Sequence, residues 1–192
     1  SPSGPADGSV RLIPQADQLK NPDARIALDI RSDQPLLRDY ATGVQGLATH
    51  DDGEFAFLFW EFGQIGIIWE KLCGTAHRTE GFGGRSYLFP WAGGEGRYRE
   101  KALALKGEGR LGGWKSGGEA WGKEGVSVSQ MGELPCTRFT GDMFDHSAAV
   151  IVPHDPANLG AIWAFCTSEA FAPAVRRVDQ KLYVTNSTLV KV

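Results

Sequence analysis

The chain has 192 residues, 42% hydrophobic and 22% charged, which suits one domain or two small lobes around a shared core and excludes a disordered polymer. A net charge of −3 and a pI near 5.8 argue against a free-standing DNA-binding protein, which carries a basic excess; a basic stripe on one face, or a channel completed by another domain, stays open. Gly is enriched at 25 residues and clustered, which predicts long surface loops.

Residues 1–20 read as a flexible linker or the cut edge of a longer chain, with a short helix possible over 14–19. Residues 23–28 fit a helical turn or an edge strand. Residues 44–49 predict a strand, followed by a turn at His50-Asp51-Asp52-Gly53. The run 55–62 (FAFLFWEF) is a buried strand or a short helix, since periodicity does not separate the two. Phe57 and Trp60 are assigned to the core, and 65–72 is a further apolar segment. Residues 81–125 hold most of the glycines. There, 86–89 predicts a strand, and a long loop carries Arg97, Arg99, Lys101, Lys106, Arg110, Lys115 and Lys123 interleaved with Trp91, Trp114 and Trp121.

Residues 126–129 alternate apolar with small polar, a half-buried strand that 137–140 can pair with. The continuous run 148–152 predicts a fully buried central strand. Asp155 and Pro156 make a helix start, and Leu159, Ile162, Trp163 and Cys166 give one helical face. A second helix begins near Ser168 with Phe171, Val175, Val178 and Leu182 on its apolar side and Pro173 in its first turn. Arg176, Arg177 and Lys181 lie opposite. Trp163 and Phe165 are core residues. Residues 184–190 read as a turn-rich strand, and the final apolar run stops abruptly, as if the chain were cut there.

Chemistry-bearing motifs are scarce. Three cysteines, Cys73, Cys136 and Cys166, have no CxxC spacing, which favours buried reduced thiols over a disulfide framework or a zinc site. No apolar run spans a bilayer and no signal peptide leads the chain, so a cytoplasmic protein without a membrane partner is expected. The chain has no phosphate-binding loop, zinc-protease motif or nucleophile elbow. Gly81-Phe82-Gly83-Gly84 lacks the strand-to-helix context of a dinucleotide site. Asp142, Asp145, His146, His154 and Asp155 match no metal-ligand spacing and read as surface turns. No catalytic residue and no metal or cofactor is therefore assigned to this chain. What remains is binding: cations interleaved with aromatics suit phosphate contact and base stacking, or else form a solvated loop whose tryptophans pack on the core.

The segment 158–192, NLGAIWAFCTSEAFAPAVRRVDQKLYVTNSTLVKV, resembles the C-terminal specificity region of large single-chain adenine-N6 DNA methyltransferases of the type IIG restriction-modification and BREX-type phage-defence families. Those carry the same AIWAFC helix, AVRRxDQKL helix and VTNxTLVKV series. Upstream, 120–131 (AWGKEGVSVSQM), 134–135, 139–145, 149–153, the stretch from Gly46 through Phe55, Phe59-Trp60-Glu61 and Gly83-Gly84-Arg85 are similar to further parts of their recognition domain. The likeness runs from about Asn21 to Val192. The resemblance implies an α+β domain with a twisted, mostly antiparallel sheet and flanking helices, akin to type I specificity-subunit target-recognition domains, with a helix pair ahead of an Asn-containing closing strand. It implies non-catalytic, sequence-specific recognition of double-stranded DNA. Methylation, possible cleavage and the S-adenosylmethionine site then lie in an upstream methyltransferase domain of the same parent chain, since this sequence has neither a cofactor-binding glycine motif nor a catalytic Asn/Asp-Pro-Pro-Tyr/Phe loop.

The candidate DNA-contacting residues are Arg85, Lys115, Lys123, Gln130, Arg138, Thr49, His50 and Asn186. Arg85 follows two glycines and can reach a guanine edge or a phosphate. Lys115 and Lys123 suit phosphates. Gln130 suits adenine or an internal hydrogen bond, and Arg138 is similar. Thr49 and His50 sit on a turn. Asn186, with Ser187 and Thr188, reads first as a structural turn that caps the domain. Arg176 and Arg177 read as a solvated helix face. The alternatives are a protein-interaction module that docks to the methyltransferase half or a defence-complex partner, and an unrecognised enzyme.

Overall fold

The structure, a computed structural model, describes Leu12 and residues 14–19, 35–49, 51–108 and 113–192. The chain divides into two units, Ser1–Pro35 and Leu36–Val192. In the first, helix α1 (Gln15–Gln18) forms where 14–19 predicts one. The expectations for 1–10 and 23–28 lie outside the described residues.

In Leu36–Val192 the strands are β1 (Ala41–Gln45), β2 (Phe57–Leu58), β3 (Glu70–Cys73), β4 (Tyr87–Phe89), β5 (Gly125–Ser129), β6 (Cys136–Phe139), β7 (Met143–Phe144) and β8 (Ala148–Pro153). The helices are α2 (Asp52–Phe55), α3 (Arg97–Gly107), α4 (Leu159–Cys166), α5 (Phe171–Val178) and α6 (Asn186–Leu189). This is an α+β fold, with two mostly antiparallel sheets where the sequence suggests one. The first has the order β1-β8-β5-β6 and the second β2-β4-β3-β7, in which only β3 and β7 run parallel. Gly46 makes the second sheet possible. A Cβ there would lie 2.0 Å from the Asp145 carbonyl oxygen, so only glycine lets the chain leave β1 and bond Leu47 N–H to Phe144 O at 2.9 Å.

The first sheet is covered on both faces, which explains the unbroken apolar run of β8. Side chains alternate along a strand. Ala149 and Ile151 join Val126, Val128 and Cys136 against Ile162, Cys166, Phe171, Val175 and Leu189 of the C-terminal helices. Val150 and Val152 join Val44 and Phe139 against Cys73, Ala120 and Phe144 on the other side. Each fully buried branched residue here contributes about 1.5–3 kcal/mol.

Helix α4 starts as read. The Asp155 carboxylate accepts from Ala157 N–H at 2.9 Å, and Pro156 opens a 3-10 turn that runs into the helix. Trp163 and Phe165 pack half-buried against the same core. Helix α5 keeps Pro173 in its first turn but ends at Val178, four residues early. The Asp179 carboxylate accepts from Lys181 N–H at 3.0 Å, which turns the chain out and leaves Leu182 exposed. Residues 184–190 are not a strand. Thr185 Oγ1 bonds the hydroxyls of Ser187 and Thr188, and the chain curls into α6. The Asn186 side chain donates to Gly43 O at 2.7 Å, which docks α6 onto β1. Beyond α6, Val190 and Val192 carbonyls accept from Arg38 and Leu37 N–H.

The second sheet encloses an aromatic core of Leu47, Phe55, Leu72, Phe89, Tyr98 and Met143. Residues 55–62 are neither one strand nor one helix: they hold the end of α2, β2, and a 3-10 turn at Phe59–Glu61. Trp60 is 58% exposed, contrary to its core assignment, while Phe57 is half-buried against Phe62 and Trp69. In the described part of the turn expected at 50–53, residues 51–53 instead start α2, because the Asp51 carboxylate caps it by accepting from Glu54 N–H at 3.2 Å. Of 65–72, only the end forms β3; Ile65, Ile67 and Ile68 are exposed.

Candidate functional site

The basic segment 97–107 is a helix, not a loop. Tyr98 and Ala102, one turn apart, bury its inner face, and the Tyr98 hydroxyl donates to Ala48 O at 2.6 Å. Three of its four cations are paired. Arg97 meets Glu54 at 2.7 Å, Arg99 meets Glu95 at 2.8 Å, and Lys101 bridges Asp51 at 3.1 Å and Glu54. The hydrogen bond to Glu54 raises the Lys101 pKa above its ordinary value, and Lys101 lowers that of Asp51. The tryptophans turn inward: Trp91, Trp114 and Trp121 pack on one another and on the Phe89–Tyr98 cluster with ring centroids 5.4–6.5 Å apart. They sit half-buried against this core. Arg110 lies outside the described residues.

The candidate DNA contacts separate into two groups. Arg85 is only 19% exposed. Its guanidinium donates to Gly83 O at 3.3 Å, to Arg138 O and to Thr140 Oγ1, with the Asp142 carboxylate 3.7 Å away. It stitches 83–85 to β6 rather than projecting from an exposed turn. Gln130 is fully buried, so its amide is committed to the fold. It exchanges hydrogen bonds with the Gln45 amide at 2.9 and 3.0 Å, donates to Val184 O at 2.9 Å and accepts from the Tyr183 hydroxyl at 2.8 Å. Burial raises the Tyr183 pKa. Thr49 is buried and donates to the Asp52 carboxylate. Asn186 is held by Gly43, the capping role. His50 lies outside the described residues.

Lys115, Lys123 and Arg138 form the second group, and all are exposed. Lys115 Nζ lies 4.6 Å from the Trp114 ring centroid. Lys123 and Arg138 flank Glu124, whose carboxylate is 3.9 Å from Arg138. Their mounting is rigid: Gly113 O accepts from Ala48 N–H at 2.9 Å, Gly122 N–H donates to Gly141 O at 2.9 Å, and β5 pairs β6 with Val126 opposite Arg138. In the glycine-rich 81–84 segment, Gly83 N–H is committed to Thr137 Oγ1 at 2.8 Å and Gly84 O accepts from Gly74 N–H, which ties the segment to β6 and to Gly74. The acidic and histidine residues that match no metal-ligand spacing are dispersed in the fold. Asp142 serves Arg85, His154 meets Thr42 at 2.9 Å, and Asp155 caps the 3-10 turn.

Asp145 instead lines a cavity of about 600 Å³ together with Asp52, Trp60, Thr75, His77 and Tyr87. One Asp145 oxygen accepts from Ser147 N–H at 2.7 Å and from the Ser147 hydroxyl. Burial raises the Asp145 pKa above 3.8, and the Asp52 charge adds to the rise. Nothing in the sequence marked this cavity: its two acids are far apart in the chain, and Trp60 reads as core. Burial also raises the thiols, Cys73 to about 11 and Cys136 to about 12, with Cys166 higher still.

No family model matches the chain, and a search of curated proteins returns no match. Among the described residues, no helix is long and apolar enough to cross a membrane.

Proposed function

We propose that Leu36–Val192 is a non-catalytic, double-stranded-DNA recognition domain of an adenine-N6 DNA methyltransferase of the restriction-modification or phage-defence kind. In this reading the fold is of the type I specificity-subunit sort, and S-adenosylmethionine and the reacting adenine are held by an upstream domain of the same chain in the cytoplasm. The resemblance of residues 158–192 suggests the family. The observation that carries the reading is the trio of exposed cations, Lys115, Lys123 and Arg138, on backbone held by hydrogen bonds to Ala48, to Gly141 and, for Arg138, within β6. Cations on a rigid mount contact phosphates and fix register on a duplex, the task such a domain performs while separate machinery extrudes the base. Reversing all three to Glu should abolish duplex binding in a fluorescence-anisotropy titration at low salt. Reversing Arg97 and Arg99, already neutralised by Glu54 and Glu95, should leave it within a few-fold. Equal losses from both sets contradict the proposal.

A second reading, a docking module for the methyltransferase half, is favoured by the exposed apolar segment Phe59, Trp60, Ile65, Ile67 and Ile68, with Phe82. Co-purification with that half, abolished by Ile67→Glu with DNA binding intact, supports it; unchanged co-purification removes it.

A further inference from the structure

The cavity beside α2 has a chemistry that DNA phosphates would not favour. Leu58, Tyr87 and Leu72 are cross-strand partners on β2, β4 and β3 and make a row along its floor. Trp60 and Tyr87 are 58% and 40% exposed. Two carboxylates, Asp52 and Asp145, face this aromatic ground, and among the described lining residues none is Lys or Arg. Neither carboxylate has an ion pair among the described residues. Asp145 is held firmly, because its N–H donates to Cys73 O at 3.0 Å and one carboxylate oxygen takes both donors of Ser147. The other oxygen faces Gly74, where a Cβ would stand 3.0 Å from it, so glycine keeps the approach open.

We propose that this cavity binds a guanidinium group, with Asp145 and Asp52 accepting its N–H donors and Trp60 and Tyr87 meeting its flat cation. Asp145 is largely withdrawn from water and has no ion pair among the described residues, which is costly, and a cation that brings both charge and donors offsets that cost, with the exposed Asp52 as a second acceptor at the rim. Guanidinium matches a carboxylate with two parallel hydrogen bonds and is attracted to aromatic faces. The volume suits a small organic group, being within the ordinary range of ligand sites. The site goes beyond the DNA reading and shares none of Lys115, Lys123 and Arg138, so the two can fail separately.

The test is calorimetric titration of the whole chain with n-butylguanidine, with n-butylurea as the uncharged isostere, and with a short arginine-containing peptide capped at both ends. The guanidine should bind one to one and the urea should not. Asp145→Asn should weaken binding about tenfold or more, and Trp60→Ala, an exposed position whose loss leaves the core intact, should weaken it several-fold. A tighter peptide assigns the occupant to an arginine side chain of a partner protein, and a tighter free guanidine to a small metabolite. Failure of the guanidine to bind up to about 10 mM, equal binding of the urea, or full binding by both variants overturns the proposal.

Discussion

Replacing Gln130 by Ala separates a structural clamp from a base-reading residue. The side chain is fully buried at the end of β5, and it ties β1 through Gln45 to the 183–184 segment through Tyr183 and Val184. Truncation strands the Val184 carbonyl and removes the partner that the Gln45 amide exchanges two hydrogen bonds with. A buried polar group left without its partner costs about 1–3 kcal/mol, so a total near 3 kcal/mol is expected, with Gln45 and Tyr183 partly compensated by the His146 carbonyl. For a unit of this size that lowers Tm by roughly 6–12 °C. Urea denaturation of Gln130→Ala, Gln45→Ala and the double variant measures it, and the cycle should return a coupling of about 1–2 kcal/mol because the two amides share their hydrogen bonds. A Gln130→Ala protein as stable as the parent chain, but weakened in DNA binding, would refute the clamp and restore Gln130 as a contact residue.

Other outcomes follow from particular contacts. Gly43→Ala puts a Cβ 2.3 Å from the Asn186 carbonyl oxygen, so α6 must lift from β1; thermal denaturation should show a loss of about 1–3 kcal/mol. Asp145 has a folded-state pKa above 3.8, so its ionised form opposes folding, and the stability this removes returns as pH falls through the folded pKa and is fully regained below 3.8. Asp145→Asn should therefore raise Tm at neutral pH, and the gain should vanish on acidification below 3.8. The three buried thiols should resist alkylation at neutral pH and react together only when the chain is unfolded, as read by mass spectrometry.

The C-terminal architecture was legible because its signals are local. Asp155-Pro156 caps a helix whatever surrounds it, and the run 148–152 has to be a strand buried on both faces. Residues 184–190 misled because Val, Thr and Leu favour strands, while the Thr185 hydroxyl and the Asn186–Gly43 contact draw the segment into a helical turn. Helix α3 was hidden because it buries only Tyr98 and Ala102, leaving almost no periodic apolar pattern. The second sheet depends on Gly46 passing against Asp145, a contact between distant residues. The candidate surface suffered from the same limit. A count of cations along the chain does not reveal that Glu54 neutralises Arg97 and Lys101, or that Arg85 is spent on the Arg138 and Gly83 carbonyls. Gln130 reads as polar and available, yet its amide faces Gln45 inside the fold.

Salt dependence of duplex binding reaches the central claim most directly. Three cations on phosphates predict that log K falls linearly with log salt with a slope of about −2.7, reduced by about 0.9 for each of Lys115, Lys123 and Arg138 replaced by Ala. Binding whose slope is unchanged in the triple variant, or no duplex binding at the lowest salt tested, would contradict it.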